Sequence, residues 1–458
     1  MEHYKIGKRF KKNPAKEKEK YIKLVKENLE TLEELKRRGY NNEEGLQSYT
    51  LELIQCISPS LNLELGLIMF AIMPTFRAID KKRRDGKTEE VRSEADALCG
   101  GYEGDELMEI NIAMYNLAHM LDASVWQEYE HDQLDELAQR IQMNLDGIIS
   151  DLPPEFISEW QKFMTRFGWD GEDQMFISSH RYEDNPVLLL ARLRNQNSGV
   201  ETKNPAAVQK KQVLRRQYVM KLQESRAASK LFSFGKSKIK KRNDYLDHLF
   251  WIRNAPKLHI AAVYGALRTS ILQVEEELIN ANRLEVKDDI YHLDLAEVDK
   301  AIADESYNLM ELVRPRKAIY ERALNAPECP LLVDSRCRIL RPDPPNEEDV
   351  EAGVIVGSAV SPGTATGRVR IMKSPTDQFA AGEILAATVT SPAWTPLFVG
   401  ASGVILQIGG ALQHGALCAR EFQKPAVSNV DIHNVLKTGM LVTVDGNTGT
   451  IRIHDEEN

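Results

Sequence analysis

The chain has 458 residues, with 59 Lys plus Arg against 68 Asp plus Glu and a formal net charge of −9. Its length is about three times the usual single-domain size of about 150 residues, so two or three domains are expected. Apolar residues make up 42% and charged residues 28%, which argues against extended disorder and collagen-like repeats. The acidic balance argues against a dedicated nucleic-acid binder. Five cysteines, an odd number without CxxC spacing, fit reduced thiols and a cytoplasmic setting.

The N-terminus is basic, with no apolar stretch of signal-peptide length behind it. Residues 15–38 carry Tyr21, Ile22, Val25, Leu29, Leu32 and Leu35 at helical spacing, and Gly39 stands at the C-cap, which predicts an amphipathic opening helix. The most apolar window, 65–76, is too short to cross a hydrocarbon layer of about 30 Å and contains Pro74. It reads as a buried helix, with no membrane partner. Helical patterns recur at 105–123, 133–149, 155–167, 205–231, 243–282 and 295–325. Residues 202–242 hold 13 Lys or Arg and one acid, Glu224. Such a run reads first as a solvated helix face, then as a docking surface for an acidic partner, and last as a nucleic-acid strip. The GKS at Gly235–Ser237 lacks the earlier glycine and the strand of a phosphate-binding loop.

Near residue 341 the composition changes. RPDPPNEEDVEAG is rich in proline and acid and reads as an exposed linker. The runs that follow, GVIVGSAVSPGTATGRVRIM, GEILAATVT, ASGVILQIGG and GMLVTVDGNTGTIRI, are short, β-rich and separated by glycine-bearing turns. One helix, from about 412 to 422, interrupts them. The expected architecture is multidomain α+β: a large, mostly α-helical domain over 1–340, a hinge at 341–350, and a small β-rich α/β domain over 351–458.

The junction between the strand 403–408 and that helix carries the main chemical signal. GGALQHGALCAREFQ places His414 in the first turn of a helix that follows Gly409-Gly410. Backbone N–H groups there lack helical partners and the macrodipole is positive, so an anionic group is favoured. Imidazole titrates near pH ~6.5 and is largely a free nucleophile at neutral pH, so it is able to carry a phosphoryl group. Gly409, Gly410, Gln413 and Arg420 are the candidate phosphate-binding residues around it. His414 and Cys418 stand at i and i+4, but no second pair has ligand spacing, so no metal is assigned.

This segment resembles the signature of the phosphohistidine, or mobile swivelling, domain of phosphoenolpyruvate-utilising enzymes. SPGTATGRVRI resembles its opening strand, TVTSPAWTPLF its middle and VDGNTGTIRI its closing hairpin. In the helical part, FMTRFGWDGEDQMFISSHRYEDNPVLLL and FWIRNAPKLHIAAVYGALR resemble blocks of the acceptor-binding domain of rifampin phosphotransferases and related synthases. The resemblance is read from Glu155 to the end of the chain. It implies that His414 relays a phosphoryl group and that Arg253 and Lys257, spaced i and i+4, line the transfer site. It also implies that Trp169, Asp170, Glu172 and His180 lie in the acceptor-binding region.

Relatives of this kind open with a large ATP-grasp domain whose glycine-rich strands are not found ahead of Glu155. The resemblance therefore implies ATP and Mg²⁺ on a separate ATP-grasp subunit, as in split members such as phenylphosphate synthase. The expected function is a dikinase-type phosphotransferase component, releasing AMP and phosphate and acting on a small organic hydroxyl or enol. The alternative is a non-catalytic binding or regulatory protein that retains the fold. Gln413, where the family has serine or threonine, Gln407, in a pair where it commonly has an acidic or hydroxyl residue, Asn254, where it has an acid, and the ATP-grasp strands not found here are its motivation.

Overall fold

The computed structural model describes residues 2–86, 88–98, 100–129, 131–197, 204–228, 234–325, 334–338, 353–410 and 413–454. Described residues up to 325 are mainly helical. The opening amphipathic helix spans Pro14–Arg38: the Asn13 side chain accepts from the Lys16 N–H, proline occupies the first turn, and Gly39, at φ 69°, ends it. Its stripe of Tyr21, Val25 and Leu32 is buried.

Three apolar cores organise the helical region. The first gathers Phe10, Tyr21, Leu67 and Trp251, the second Leu137, Phe156, Trp160 and Leu190, the third Leu46, Tyr49, Leu267 and Val313. The helix Ala255–Asn280 joins them, giving Ala255 to the first core, Leu258 to the second and Val263 and Ile271 to the third. That explains why its sequence is apolar on nearly every side rather than along one stripe.

Several predicted helices have different bounds. The pattern at 243–282 divides into Phe234–Leu249, a 3₁₀ turn Phe250–Asn254 and Ala255–Asn280, because Pro256 fits a first helical turn and not an interior one. The pattern at 295–325 splits into Leu295–Ala303 and Met310–Leu324. Residues 65–76 are not the buried helix expected: Leu67, Ala71 and Ile72 are buried, but Leu65, Met69 and Phe70 are exposed, across a π turn at Ile68–Ile72. The continuous helical run Gly45–Ile79 is, by length and composition alone, long and apolar enough to cross a membrane.

The proposed hinge at 341–350 lies outside the described residues. Beyond it, eight strands form one mixed sheet: β1 Val354–Val356, β2 Ser358–Ser361, β3 Thr364–Met372, β4 Ile384–Ala387, β5 Gly403–Leu406, β6 Ala426–Ser428, β7 Leu441–Asp445 and β8 Thr450–Ile453. Their order is β1-β8-β7-β3-β4-β5-β6-β2. The stretch β3-β4-β5-β6 is parallel and the rest antiparallel. Parallel neighbours need crossovers. The one between β5 and β6 is the helix His414–Glu421; the short helices Thr395–Gly400 and Ile432–Val435 were not foreseen.

The two faces of this sheet bury separate cores. One holds Val369, Ile405, Val444 and Ile451. The other holds Leu385, Phe398, Leu406 and Ala416, and it takes in Met108 of the helical region, with Ile112 packed against it. The helix Glu106–Ala118 therefore docks the C-terminal domain. Two polar clips support the docking. Glu172 Oε1 accepts hydrogen bonds from Ser374 Oγ at 2.7 Å and Thr376 Oγ1 at 2.5 Å. Asn195 donates to the Asp377 carbonyl at 3.1 Å and accepts from the Phe379 N–H at 3.3 Å.

Candidate functional site

The site begins at the C-terminal end of β5, whose four residues are all buried. The chain leaves the sheet still bonded to β4's extension, through Gln407 N–H to the Ala387 carbonyl and Ile408 N–H to the Thr388 carbonyl. Gly409 then passes so close to Ser428 that an added Cβ would come within 2.6 Å of that side chain. Gly410 and Gln413 close a turn on each other: the Gly410 N–H donates to Gln413 Oε1 at 3.1 Å and the Gln413 N–H to the Gly410 carbonyl at 2.9 Å. His414 follows in the first turn of the helix, and Gly415 seats that turn on the sheet, where a Cβ would meet Leu406 and Thr390 at 2.6 Å. The predicted phosphate-loop residues Gly409, Gly410 and Gln413 thus shape the turn that presents His414.

The His414 ring is partly exposed. Its Nε2 lies 3.3 Å from Thr395 Oγ1 and 3.3 Å from Cys418 Sγ, and Phe398 approaches edge-on with ring centroids 6.5 Å apart. Burial first, then the charges of Lys257 and Arg253, push its pKa down to about 3. The ring is therefore neutral at pH 7. Burial also pushes the Cys418 thiol up, so this sulfur is a protonated neighbour and not a thiolate.

The two predicted cations act on this ring through their charge, from the helical region. Arg253 closes the 3₁₀ turn Phe250–Asn254, and Lys257 stands exposed in the first turn of Ala255–Asn280. Arg253 lies over the Phe250 ring at 5.1 Å and pairs with Asp105 at 3.5 Å. Asn254 donates to both Asp105 oxygens at 3.2 and 3.1 Å. Asp105 caps the helix Glu106–Ala118 by accepting from the Leu107 N–H, and burial raises its pKa against the pull of Arg253. Asn254 is thus a donor beside a buried carboxylate, where an acid would be repelled. Glu421, at the far end of the His414 helix, is raised by burial to about 7, with Arg253 opposing that shift and Asp105 adding to it.

Other predicted residues lie elsewhere. Arg420 donates to the Val360 carbonyl at 3.0 Å and lines a small cleft of about 40 Å³ with Arg253 and Glu421. Trp169 donates to the Arg166 carbonyl and packs against Gly265. Asp170 is buried, accepts from Gly171 N–H and Gln174, and lies in the field of Arg192 and Arg181. His180 is exposed and pairs with Asp184 at 2.9 Å. Glu172 is the interdomain clip already described. In the basic run Arg216 pairs with Asp247, Arg226 with Glu90 and Glu94, and Arg242 hydrogen-bonds Gln223, while Lys210, Lys211, Lys221, Lys238, Lys240 and Lys241 are exposed.

Thr395 and Phe398 beside His414, and Asp105 and Glu421 around Arg253, were not singled out from the sequence. Thr395 and Phe398 belong to TSPAWTPLF, already tied to the same domain. Asp105 arrives from a distant helix and leaves no local signal. Among the described residues no group of three or more His, Cys, Asp or Glu is arranged to hold a metal ion.

Two family profiles match. Residues 379–449 match the mobile domain of PEP-utilising enzymes, and residues 66–245 the fourth domain of rifampicin phosphotransferases. The second match begins well ahead of Glu155, where the resemblance was first read. The chain is 28% identical over 298 residues to a rifampicin phosphotransferase of Bacillus subtilis (strain 168), covering 64% of this chain and 34% of that protein. It is 24% identical over 461 residues to that of Bacillus cereus, covering 96% and 50%. A prodigiosin synthesizing transferase, PigC, of Serratia marcescens is 27% identical over 335 residues, covering 68% and 36%. The chain spans half or less of the length of these relatives.

Proposed function

We propose, from the premise that this chain carries the mobile domain of PEP-utilising enzymes and the fourth domain of rifampicin phosphotransferases, that it is the relay and acceptor component of a dikinase-type phosphotransferase. His414 takes a phosphoryl group from ATP held on a separate nucleotide-binding subunit and hands it to a small organic hydroxyl or enol. The observation that carries this reading is the electrostatic pairing at His414. Two cations, Arg253 and Lys257, disfavour the imidazolium and would favour the same ring once it bears a dianionic phosphoryl group. They come from the helical region, so the docked arrangement corresponds to the acceptor station of the relay. Thr395 and Cys418, each with a hydroxyl or thiol at the ring, orient it.

Donor loading requires the domain to leave that station, and the acid- and proline-rich stretch at 341–350 is the expected hinge. Mg²⁺ is assigned to the nucleotide-binding partner and not to residues of this chain, and the complex to the cytoplasm. Phosphorylation need not end in a stable phosphate ester, since PigC is named a synthesizing transferase.

The test is mass spectrometry under alkaline conditions on the chain mixed with its candidate nucleotide-binding partner, ATP and Mg²⁺. One added phosphoryl group on His414, absent from His414→Ala, is expected. Treatment with phosphoramidate in place of ATP tests the histidine without a partner. If neither donor labels His414, the non-catalytic binding reading replaces this one.

A further inference from the structure

The helix that begins at Gly45 runs through the π turn Ile68–Ile72 and on to Arg84, about 60 Å at about 1.5 Å per residue. One face is held by the rest of the protein: Leu53 and Ile57 enter the third core, Leu67 and Ala71 the first. On that face Glu64 is fully buried, accepting from Tyr21 Oη at 2.8 Å and lying 2.9 Å from His259 Nδ1. The opposite face is open. A solvated helix face ordinarily carries charged side chains, yet none of the ten exposed residues from Gln47 to Phe70 is charged. Glu52, partly exposed, is bound to Arg38 at 2.5 Å.

The open face also has a regular spacing. Leu51, Gln55, Ser58, Asn62, Leu65 and Met69 follow one another at alternating steps of four and three residues, as in the seam of a coiled coil. Leu51, Leu65 and Met69 are 57%, 39% and 59% exposed. Opposite charges flank the seam. The exposed Glu44 precedes it, and the exposed Arg77 continues it beyond the π turn.

A second copy of the same helix, running the other way, satisfies every one of these features. In an antiparallel pair with its two-fold axis level with residue 60, Ser58 of one copy meets Asn62 of the other, Gln55 meets Leu65 and Leu51 meets Met69. The π turn takes up one extra residue, so Glu44 meets Arg77. Polar side chains at the centre then fix the register, apolar pairs lie outside them and ion pairs close both ends. A parallel pair would set Glu44 against Glu44 and Arg77 against Arg77. A bilayer would leave Gln55, Ser58 and Asn62 without partners, and crossing one would strip Glu64 of Tyr21 and His259. From Glu44 to Arg77 the face is about 50 Å long and about 10 Å wide, so two copies cover about 1,000 Å², the lower limit of a specific contact.

We propose that the chain forms a two-fold dimer through antiparallel pairing of this helix. The pairing is independent of the relay at His414. Sedimentation velocity of the full chain, without ATP or a nucleotide-binding partner, should show reversible dimers with a dissociation constant in the micromolar range. Met69→Glu should weaken association about tenfold or more, and because Met69 is exposed its melting curve should match that of the parent. Glu44→Arg and Arg77→Glu should each weaken the dimer several-fold, while the chain carrying both changes should return to within about threefold of the parent. A chain that stays monomeric at about 200 µM, or a dimer untouched by Met69→Glu, would overturn the assignment. Failure of the double exchange to restore association would refute the antiparallel register. A monomer that floats with phosphatidylglycerol vesicles and loses them on Met69→Glu would give this face to a membrane surface instead.

Discussion

Glu172→Ala is the perturbation that bears most directly on movement of the C-terminal domain. Glu172 holds Ser374 and Thr376 through two hydrogen bonds to one carboxylate oxygen. Bonds to charged groups contribute about 1.5–3 kcal/mol each. Glu172 is partly exposed, so solvent screening reduces the pair to about 2–3 kcal/mol in all. The docked-to-undocked ratio should fall about 30- to 150-fold. The Asn195 clip and the Met108 contact remain, so the variant should keep both folded domains and lose only part of their docking. Single-molecule energy transfer between fluorophores at Ile148→Cys and Val356→Cys, both exposed and on opposite sides of the junction, reads that ratio, with Cys337 replaced. A transfer distribution identical to that of the parent chain would refute the assignment of Glu172 as a docking clip.

Lys257→Gln removes one of the two cations acting on His414, so the imidazole pKa, followed by NMR titration, should rise from about 3 toward 6.5; an unmoved pKa would show that Lys257 does not act on the ring. His259 is raised from 6.5 to about 10, so its contribution to stability is complete below pH 6.5 and lost as pH rises through 10. Glu64→Gln strands that buried cation and should cost about 3–5 kcal/mol in denaturant melts at pH 7, while flattening the slope between pH 6.5 and 10. A cost below about 1 kcal/mol, no more than an ordinary substitution, would contradict a charged pair there. Glu421 is raised from 4.5 to about 7, so its favourable contribution holds below pH 4.5 and disappears as pH climbs through 7. Glu421→Gln should abolish that slope and be more stable than the parent at pH 8; equal stability would place this carboxyl in water.

The division into a helical region and a β-rich C-terminal domain was legible because the two hydrophobic periods differ, and glycines such as Gly357, Gly363, Gly409 and Gly449 lie in several of the turns between the last strands. What was missed follows from burial on all sides. The helix Ala255–Asn280 touches three cores and shows no clean stripe, so its true start at Pro256 was masked by the continuous pattern from 243. The helices Glu2–Lys12 and Gly45–Leu67 escaped for the opposite reasons: the first is short and heavily basic, and the second is interrupted by Pro59.

The site was legible where one segment carries it. His414 and its glycines are contiguous, and Arg253 and Lys257 are close in sequence, although a 3₁₀ turn holds the first and the following α-helix the second; the charges of both act on the His414 ring. Asn254 shows where a linear reading fails. Taken alone, an amide in the place of a family acid weakens the case for transfer, yet the missing charge is present in space as Asp105, donated by another helix and hydrogen-bonded by that same amide. An acid at 254 would set two carboxylates against each other in a buried position, and one of them would have to take up a proton. The amide therefore keeps a further carboxylate away from the Arg253–Asp105 pair. Asn254 and Asp105 form a matched pair that no single segment reveals, and Asn254→Asp without a change at Asp105 is expected to cost stability at neutral pH.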